Sequence, residues 1–381
     1  MHFKNSSKTI LSLALLGSLL SYFPVMGQKK INPYHNLIIG TYTNTGKSKG
    51  IYVYQFNSLK GTFKFKGEAD GIENPSYLTL SANHRFVYAV NETDNGKVSA
   101  FSFNPESGSL NLLNAVPTGG ANPCYISVDS KNRNVFIANY TGGSLSSIPL
   151  NKDGSLGKDI QILMHTGKGV DTARQEKAHV HMALLSPDQT KVLTADLGID
   201  SVNVYTIHYG KSAPLSPYTF RGVKVEPGNG PRHMVFSPSG KFLYLVQEMK
   251  ATINVYQYQN GALHLIQNIG METSDFSGKL GAADVHISAD GKFLYATNRG
   301  DANDIVIYKI GLNGKLFRIG KTSTLGLTPR NFCMDPSGNF LLVANQKSDE
   351  IVIFKRNKLK GTLSPLSKRI EVGAPVCLKF D

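Results

Sequence analysis

Side chains fit for acid–base and anion chemistry recur in this chain at two kinds of position, sixteen residues apart. One kind holds His181, Arg232 and Arg330; the other holds Glu92, Glu248 and Arg299. An imidazole, with a reference pKa of about 6.5, exchanges a proton near neutrality. Guanidinium forks match the paired oxygens of a carboxylate or a phosphate. A neighbouring carboxylate can orient the imidazole or act as the base itself. Together these groups could activate a water and cradle a developing oxyanion.

What positions them is a segment that occurs six times. The copies are PSYLTLSANHRFVYAVNE (75–92), PCYISVDSKNRNVFIANY (123–140), VHMALLSPDQTKVLTADL (180–197), PRHMVFSPSGKFLYLVQE (231–248), AADVHISADGKFLYATNR (282–299) and PRNFCMDPSGNFLLVANQ (329–346). Their starts lie 48, 57, 51, 51 and 47 residues apart, and a period near 50 is the mark of arrays and propellers. Each copy reads as two β-strands around a turn such as Ser237-Pro238-Ser239-Gly240-Lys241, where glycine can supply a positive φ. A third strand follows, as in Thr252–Tyr256 or Asp304–Tyr308, and then a more variable fourth. Three or four antiparallel strands per unit of about 50 residues make a propeller blade.

The chain ends complete the count. Asn36–Tyr42 resembles the second strand of a copy and Gly50–Phe56 the third, while Ala374–Phe380 resembles the first. Pro375 follows Pro329 by 46 residues, on period. The expected fold is therefore all-β, a seven-bladed β-propeller closed by strands from both termini. Closure leaves no sheet edge open, so a monomer is expected. The chain has no tryptophan, which excludes a WD-signature propeller.

Equivalent offsets of the blades must meet on one face of the disc. One residue into the copies lie Ser76, Cys124, His181, Arg232, Ala283 and Arg330, with Val376 from the last strand. Seventeen in lie Glu92, Tyr140, Leu197, Glu248, Arg299 and Gln346, with Tyr42 from the first. Antiparallel pairing brings both offsets to one rim, so His181, Arg232, Glu248, Arg299, Arg330 and Glu92 should surround a central mouth. The series Asn91, Asn139, Asn298, Asn345 reads instead as strand-end capping. Salt bridges from Arg232 and Arg299 to Glu248 or Asp284 are the plain structural alternative. His179 and His181 form a His-x-His pair, but no third ligand of clear spacing joins them, and no metal is expected. No glycine-rich phosphate loop or serine nucleophile elbow is present, so no cofactor is expected.

Residues 1–27 read as a secretory signal peptide. Lys4 and Lys8 precede the apolar run Ile10–Leu20, and cleavage is expected after Gly27. That run is too short for a membrane span of about 20 residues. The mature chain, 28–381, is expected to be one periplasmic or secreted domain without membrane insertion. Removing 1–27 takes away two lysines and no acid, lowering the formal charge from +14 to +12. Such a field favours anionic ligands, but no aromatic-basic motif points to nucleic acid. Cys124, Cys333 and Cys377 are too few and irregular for a disulfide framework and read as small buried residues.

The segments HVHMALLSPD, TADLGIDSVNVY, GNGPRHMVFSPSGKFLYLVQE, AADVHISADGKFLYATNRG and TPRNFCMDPSGNFLLVANQKSD resemble the lactonase family of seven-bladed propellers. That family includes bacterial 6-phosphogluconolactonases and is similar to fungal carboxy-muconate cyclases. The resemblance spans residues 36–381 and implies hydrolysis of a small anionic sugar lactone. It implies an active site of one histidine, two arginines and a glutamate, which fall on His181 (His179 being the less favoured histidine), Arg232, Arg299 and Glu248; Arg330 and Glu92 on the same rim, and His179, are expected to bind substrate. Two other classes use the same mouth: a non-catalytic propeller binding an anionic sugar or a protein, and a cyclase or isomerase acting on a dicarboxylate.

Overall fold

The computed structural model describes residues 1–3, 32–218 and 222–381. The leader read at 1–27 lies, past its third residue, outside them. Within Pro33–Asp381 the strands form seven antiparallel sheets, six of four strands and one of five. The first strand of each repeat is innermost. These are Tyr77–Leu80, Pro123–Val128, Val180–Leu185, Pro231–Phe236, Ala282–Ile287, Pro329–Met334 and Pro375–Phe380, and each touches the next around a closed circle. This is the seven-bladed β-propeller expected from the repeat.

Burial explains the strand sequences. Second strands such as Asn134–Asn139, Phe293–Asn298 and Phe340–Asn345 are buried along their whole length. A blade packs against a neighbour on each face, so these strands read as continuous apolar runs. Outer strands such as Ala262–Gly270 are part exposed and mixed in composition. The hairpin turn keeps one left-handed position in all six copies: Gly240, Gly291 and Gly338, but also His84, Asn132 and Gln189, all at φ between 52° and 69°. Glycine is free of strain there; the other three copies accept a residue whose Cβ is crowded.

The ring closes as the termini suggest. Tyr34–Thr41 pairs with Pro375–Phe380 on one side and Gly50–Asn57 on the other. Asn36 adds two bonds to the C-terminal residue: its backbone N–H donates to Asp381 Oδ1 at 2.8 Å and its side-chain amide to Oδ2 at 2.6 Å. Three of the strand-end asparagines bond backbone as expected: Asn91 to Glu73 O, Asn345 to Thr324 O, and Asn298 from the Gly281 N–H. Asn139 instead reaches Ser144 and Ser146. The three cysteines are buried and free.

Candidate active site

One backbone irregularity explains the mouth. In six of the seven blades the innermost strand slips by one residue just after its start. Pro231 pairs with Gln247 but His233 pairs with Val246, so Arg232 has no partner across the ladder. The same slip frees His181, Arg330, Cys124 and Val376, and one residue of the Ala283-Asp284 pair. A β-bulge bends its strand and re-aims a side chain. Here the repeat delivers a ring of bulge residues to one end of the axis.

Glu248 is the centre of that ring. Its Oε2 accepts from Arg232 Nε at 2.9 Å and pairs with an Arg299 terminal nitrogen at 2.9 Å, while Oε1 accepts from Arg174 at 2.7 Å. Burial opposes its charge, yet Arg299 and Arg232, aided by His181 and Arg174, hold the carboxyl well below the usual range. The buried cations Arg232 and Arg299 are both lowered, by burial first, whereas in the half-exposed Arg174 Glu248 outweighs burial and the pKa is raised. Burial, with Arg299 nearby, pushes Arg232 down to about 10, still charged at neutral pH. Arg299 is fastened further, Nε donating to Gly281 O at 2.9 Å and a terminal nitrogen to Ala282 O at 3.3 Å.

Across the mouth, Arg330 approaches Glu92 at 3.9 Å and lies 5.4 Å over the Tyr42 ring. Glu92 accepts a short hydrogen bond from Ser76. His181 is 4% exposed and packs edge-on against Tyr140 and His233, with centroids 5.5 and 5.3 Å away. Burial, and then the Arg232 charge, hold its pKa well below 6.5. The imidazole is therefore neutral, in the basic form, at pH 7. Burial pushes the Cys124 thiol up, so it is no thiolate nucleophile.

A cavity of about 360 Å³ opens over this set, lined by Tyr42, Glu92, Cys124, Tyr140, Arg174, His181, Glu248, Arg299 and Arg330. Five of the seven residues singled out from the sequence line it. Arg232 does not: at 1% exposure it sits beneath, its guanidinium spent on Glu248 and on the Ala283 carbonyl. This is the salt bridge named as the structural alternative, and it makes Arg232 the anchor of Glu248. His179 is not in the lining either. Its ring stacks behind Tyr140 at 4.6 Å, with one nitrogen on Tyr140 O and the other on Glu176.

Arg174 escaped the repeat because it lies between copies. The interval holding it is 57 residues, the longest of the five, and that excess was the available signal. Buried Gln175 pins the insertion by donating to Leu197 O at 2.8 Å, and the Asp171 carboxylate caps the Ala173 and Arg174 N–H groups. Three larger hollows, about 730, 710 and 470 Å³, are lined largely by turn and loop residues, with asparagines in the first, basic side chains such as Lys131 and Lys152 in the second and Lys47 with Asp349 in the third. None of them brings three arginines onto one carboxylate as the central mouth does. Among the described residues no group of three or more His, Cys, Asp or Glu could hold a metal ion, and no helix is long and apolar enough to cross a membrane.

Comparison with known proteins agrees with the fold. The profile of the lactonase family, described as a seven-bladed β-propeller, matches residues 36–380. A 6-phosphogluconolactonase of Formosa agariphila is 36% identical over 90% of this chain and 99% of its own length. One from Bacillus subtilis is 34% identical over 90% and 97%. The crystal structure of a Pseudomonas aeruginosa periplasmic gluconolactonase superposes with a TM-score of 0.87, at 36% identity, over 91% of this chain and 99% of that one. With matching profile, fold and relatives across nearly its whole described length, the chain belongs to the lactonase family of seven-bladed β-propellers.

Proposed function

We propose that this enzyme hydrolyses a sugar lactone bound in the 360 Å³ cavity, with His181 as general base and arginines holding negative charge. The observation that carries the reading is the charge of the mouth. At the cavity wall Arg174, Arg299 and Arg330 face Glu92 and Glu248, so positive charge is in excess while His181 is neutral, and Arg232 adds a further cation beneath. This excess suits an anionic group on the substrate or the oxyanion that forms on it.

His181 takes a proton from the attacking water as the water's oxygen bonds to the lactone carbonyl carbon. The carbonyl oxygen becomes an oxyanion, stabilised by Arg299 or Arg330 at the cavity wall. Collapse breaks the bond to the ring oxygen, which takes the proton back from the imidazolium. The product is a hydroxy acid, whose carboxylic proton leaves at neutral pH. Glu248 is a poor base, since Arg232, Arg299 and Arg174 share its lone pairs. Its role is to fix the arginines and to stabilise the imidazolium. Export by the leader, together with the periplasmic gluconolactonase relative, supports a lactone met outside the cytoplasm, phosphorylated or not.

The test is a pH-stat assay on aldonolactones with and without a phosphate, comparing the enzyme with His181→Gln. Hydrolysis above the spontaneous rate, falling about 10²-fold or more in the variant, is expected. The acid limb of kcat/KM should lie below pH 6.5, because His181 stays unprotonated until its lowered pKa is reached. Tight binding without turnover would favour the non-catalytic propeller. Isomerisation of a dicarboxylate without lactone hydrolysis would favour the cyclase.

A further inference from the structure

Beside the outer cavity, and sharing His181, Glu92 and Arg330 with it, lies a second, narrower chamber that Tyr77, Arg232 and His233 also line. Two buried ring nitrogens there have no hydrogen-bond partner: His181 Nδ1 and His233 Nε2. The rings meet edge-on at 5.3 Å without bonding each other. The free volume of about 10 Å³ is the room one water needs, and such a water needs polar partners.

The far side of His233 is fixed. Its Nδ1 lies 2.7 Å from Asp284 Oδ1, on the next blade, and the carboxylate also accepts from His286 Nε2 and from Asn331. Burial opposes the charge of Asp284, but His286 and His233 keep it ionised. Burial and Arg232 lower His233 to about 4. A neutral imidazole bonded through Nδ1 to a carboxylate carries its proton on Nδ1 and leaves Nε2 as an acceptor. His233 thus carries an unpaired acceptor, and His181, whose Nδ1 is unpaired as well, lines the same chamber.

We propose that His233 and Asp284 are positioning residues for His181: through one water in the inner chamber they keep a proton on His181 Nδ1 and leave Nε2 as the basic nitrogen toward the outer cavity. The water accepts from His181 Nδ1–H and donates to His233 Nε2. When Nε2 takes the proton of the attacking water, Nδ1–H stays in place, and the same Nε2 proton later goes to the leaving ring oxygen. Protons balance, and nothing passes along the relay. The groups facing the pair are Arg232, Arg330, Glu92 and Glu248 as charges, and Tyr77, Tyr125 and Tyr140 as phenols.

The proposal rests on His181 being the base, and its test separates the two ideas. The whole enzyme labelled with [15N]histidine is studied by NMR at about pH 7.5, where its histidines of low pKa are neutral. His181 signals are assigned by their loss in His181→Gln. The Nδ1–H tautomer is expected in the wild type. His233→Phe keeps an aromatic ring against Tyr77 and Tyr125 but removes the acceptor. It should shift His181 toward the Nε2–H form and lower kcat about 10²-fold, with KM within about twofold. His233→Gln, whose amide oxygen can accept from the water, should recover about a tenth of kcat or more. A wild-type Nε2–H tautomer overturns the proposal without recourse to any variant. So does His233→Phe with tautomer and kcat unchanged. Full activity in His181→Gln would instead sink the base assignment, and this proposal with it.

Discussion

Replacing Glu248 by glutamine removes one charge and leaves three cations facing each other. Arg232 and Arg299 both lie 2.9 Å from Oε2, and both are buried or nearly so. At an effective dielectric of about 20, each such pair is worth roughly 4 kcal/mol of attraction at about 4 Å. Desolvation cancels much of that in the intact cluster. With the carboxylate gone, Arg232 keeps its desolvation cost without its compensation, for which about 3–5 kcal/mol of destabilisation is typical. At roughly 2 °C per kcal/mol for a domain of this size, Tm should fall by about 6–10 °C. The assay is urea and thermal unfolding of Glu248→Gln beside Glu248→Gln/Arg232→Met. The double variant should regain part of the loss, because it also removes the stranded charge. A loss below about 1 kcal/mol in Glu248→Gln, or no recovery in the double variant, would refute the idea that Arg232 exists to anchor Glu248.

Arg174 pairs with the same carboxylate, but its side chain is 45% exposed. Arg174→Ala should therefore change stability by less than about 1 kcal/mol. Initial-rate kinetics should show KM for an anionic lactone raised about tenfold with kcat little altered, the signature of lost ground-state binding. His233 should make the fold acid-sensitive in a defined window. Its folded pKa of about 4 lies below the unfolded value of about 6.5, so the unfolded chain binds the proton more readily. Stability from this group is full above pH 6.5, falls by about 3 kcal/mol as the pH drops toward 4, and is flat below. His181 acts in the same direction. Asp284 and Glu248, held low, withdraw their stabilisation only below the unfolded carboxylate pKa of about 4. Urea titrations across that window, on the wild type and His233→Phe, separate these contributions.

Much of the candidate site was legible in the repeat. Aligning the copies placed His181, Glu248, Arg299, Arg330 and Glu92 on one rim, and the cavity gathers all five. His179 was read with its neighbour, but alternation along a strand turns residues two apart the same way only where pairing is regular. Here the slip after Val180 falls between them. Arg174 was invisible to offset counting because an insertion obeys no period. Asp284 was named only as a salt-bridge partner for the arginines; it bonds His233 of the preceding blade at 2.7 Å instead.

The sequence by itself determined the blade count, the closure by both termini and the rim that carries the charges. Those follow from periodic burial: each blade must hide two faces, and the same pattern of apolar residues recurs wherever it does. Only the tertiary structure decided which charges face the substrate and which are consumed holding others. Arg232 and Arg330 occupy the same bulge position of their blades, yet one is buried under Glu248 and the other lines the cavity. Arg232 is held by Glu248 of its own blade and by the Ala283 carbonyl of the next, whereas Arg330 faces Glu92 from a blade two steps round the ring; contacts between blades leave no trace in local spacing.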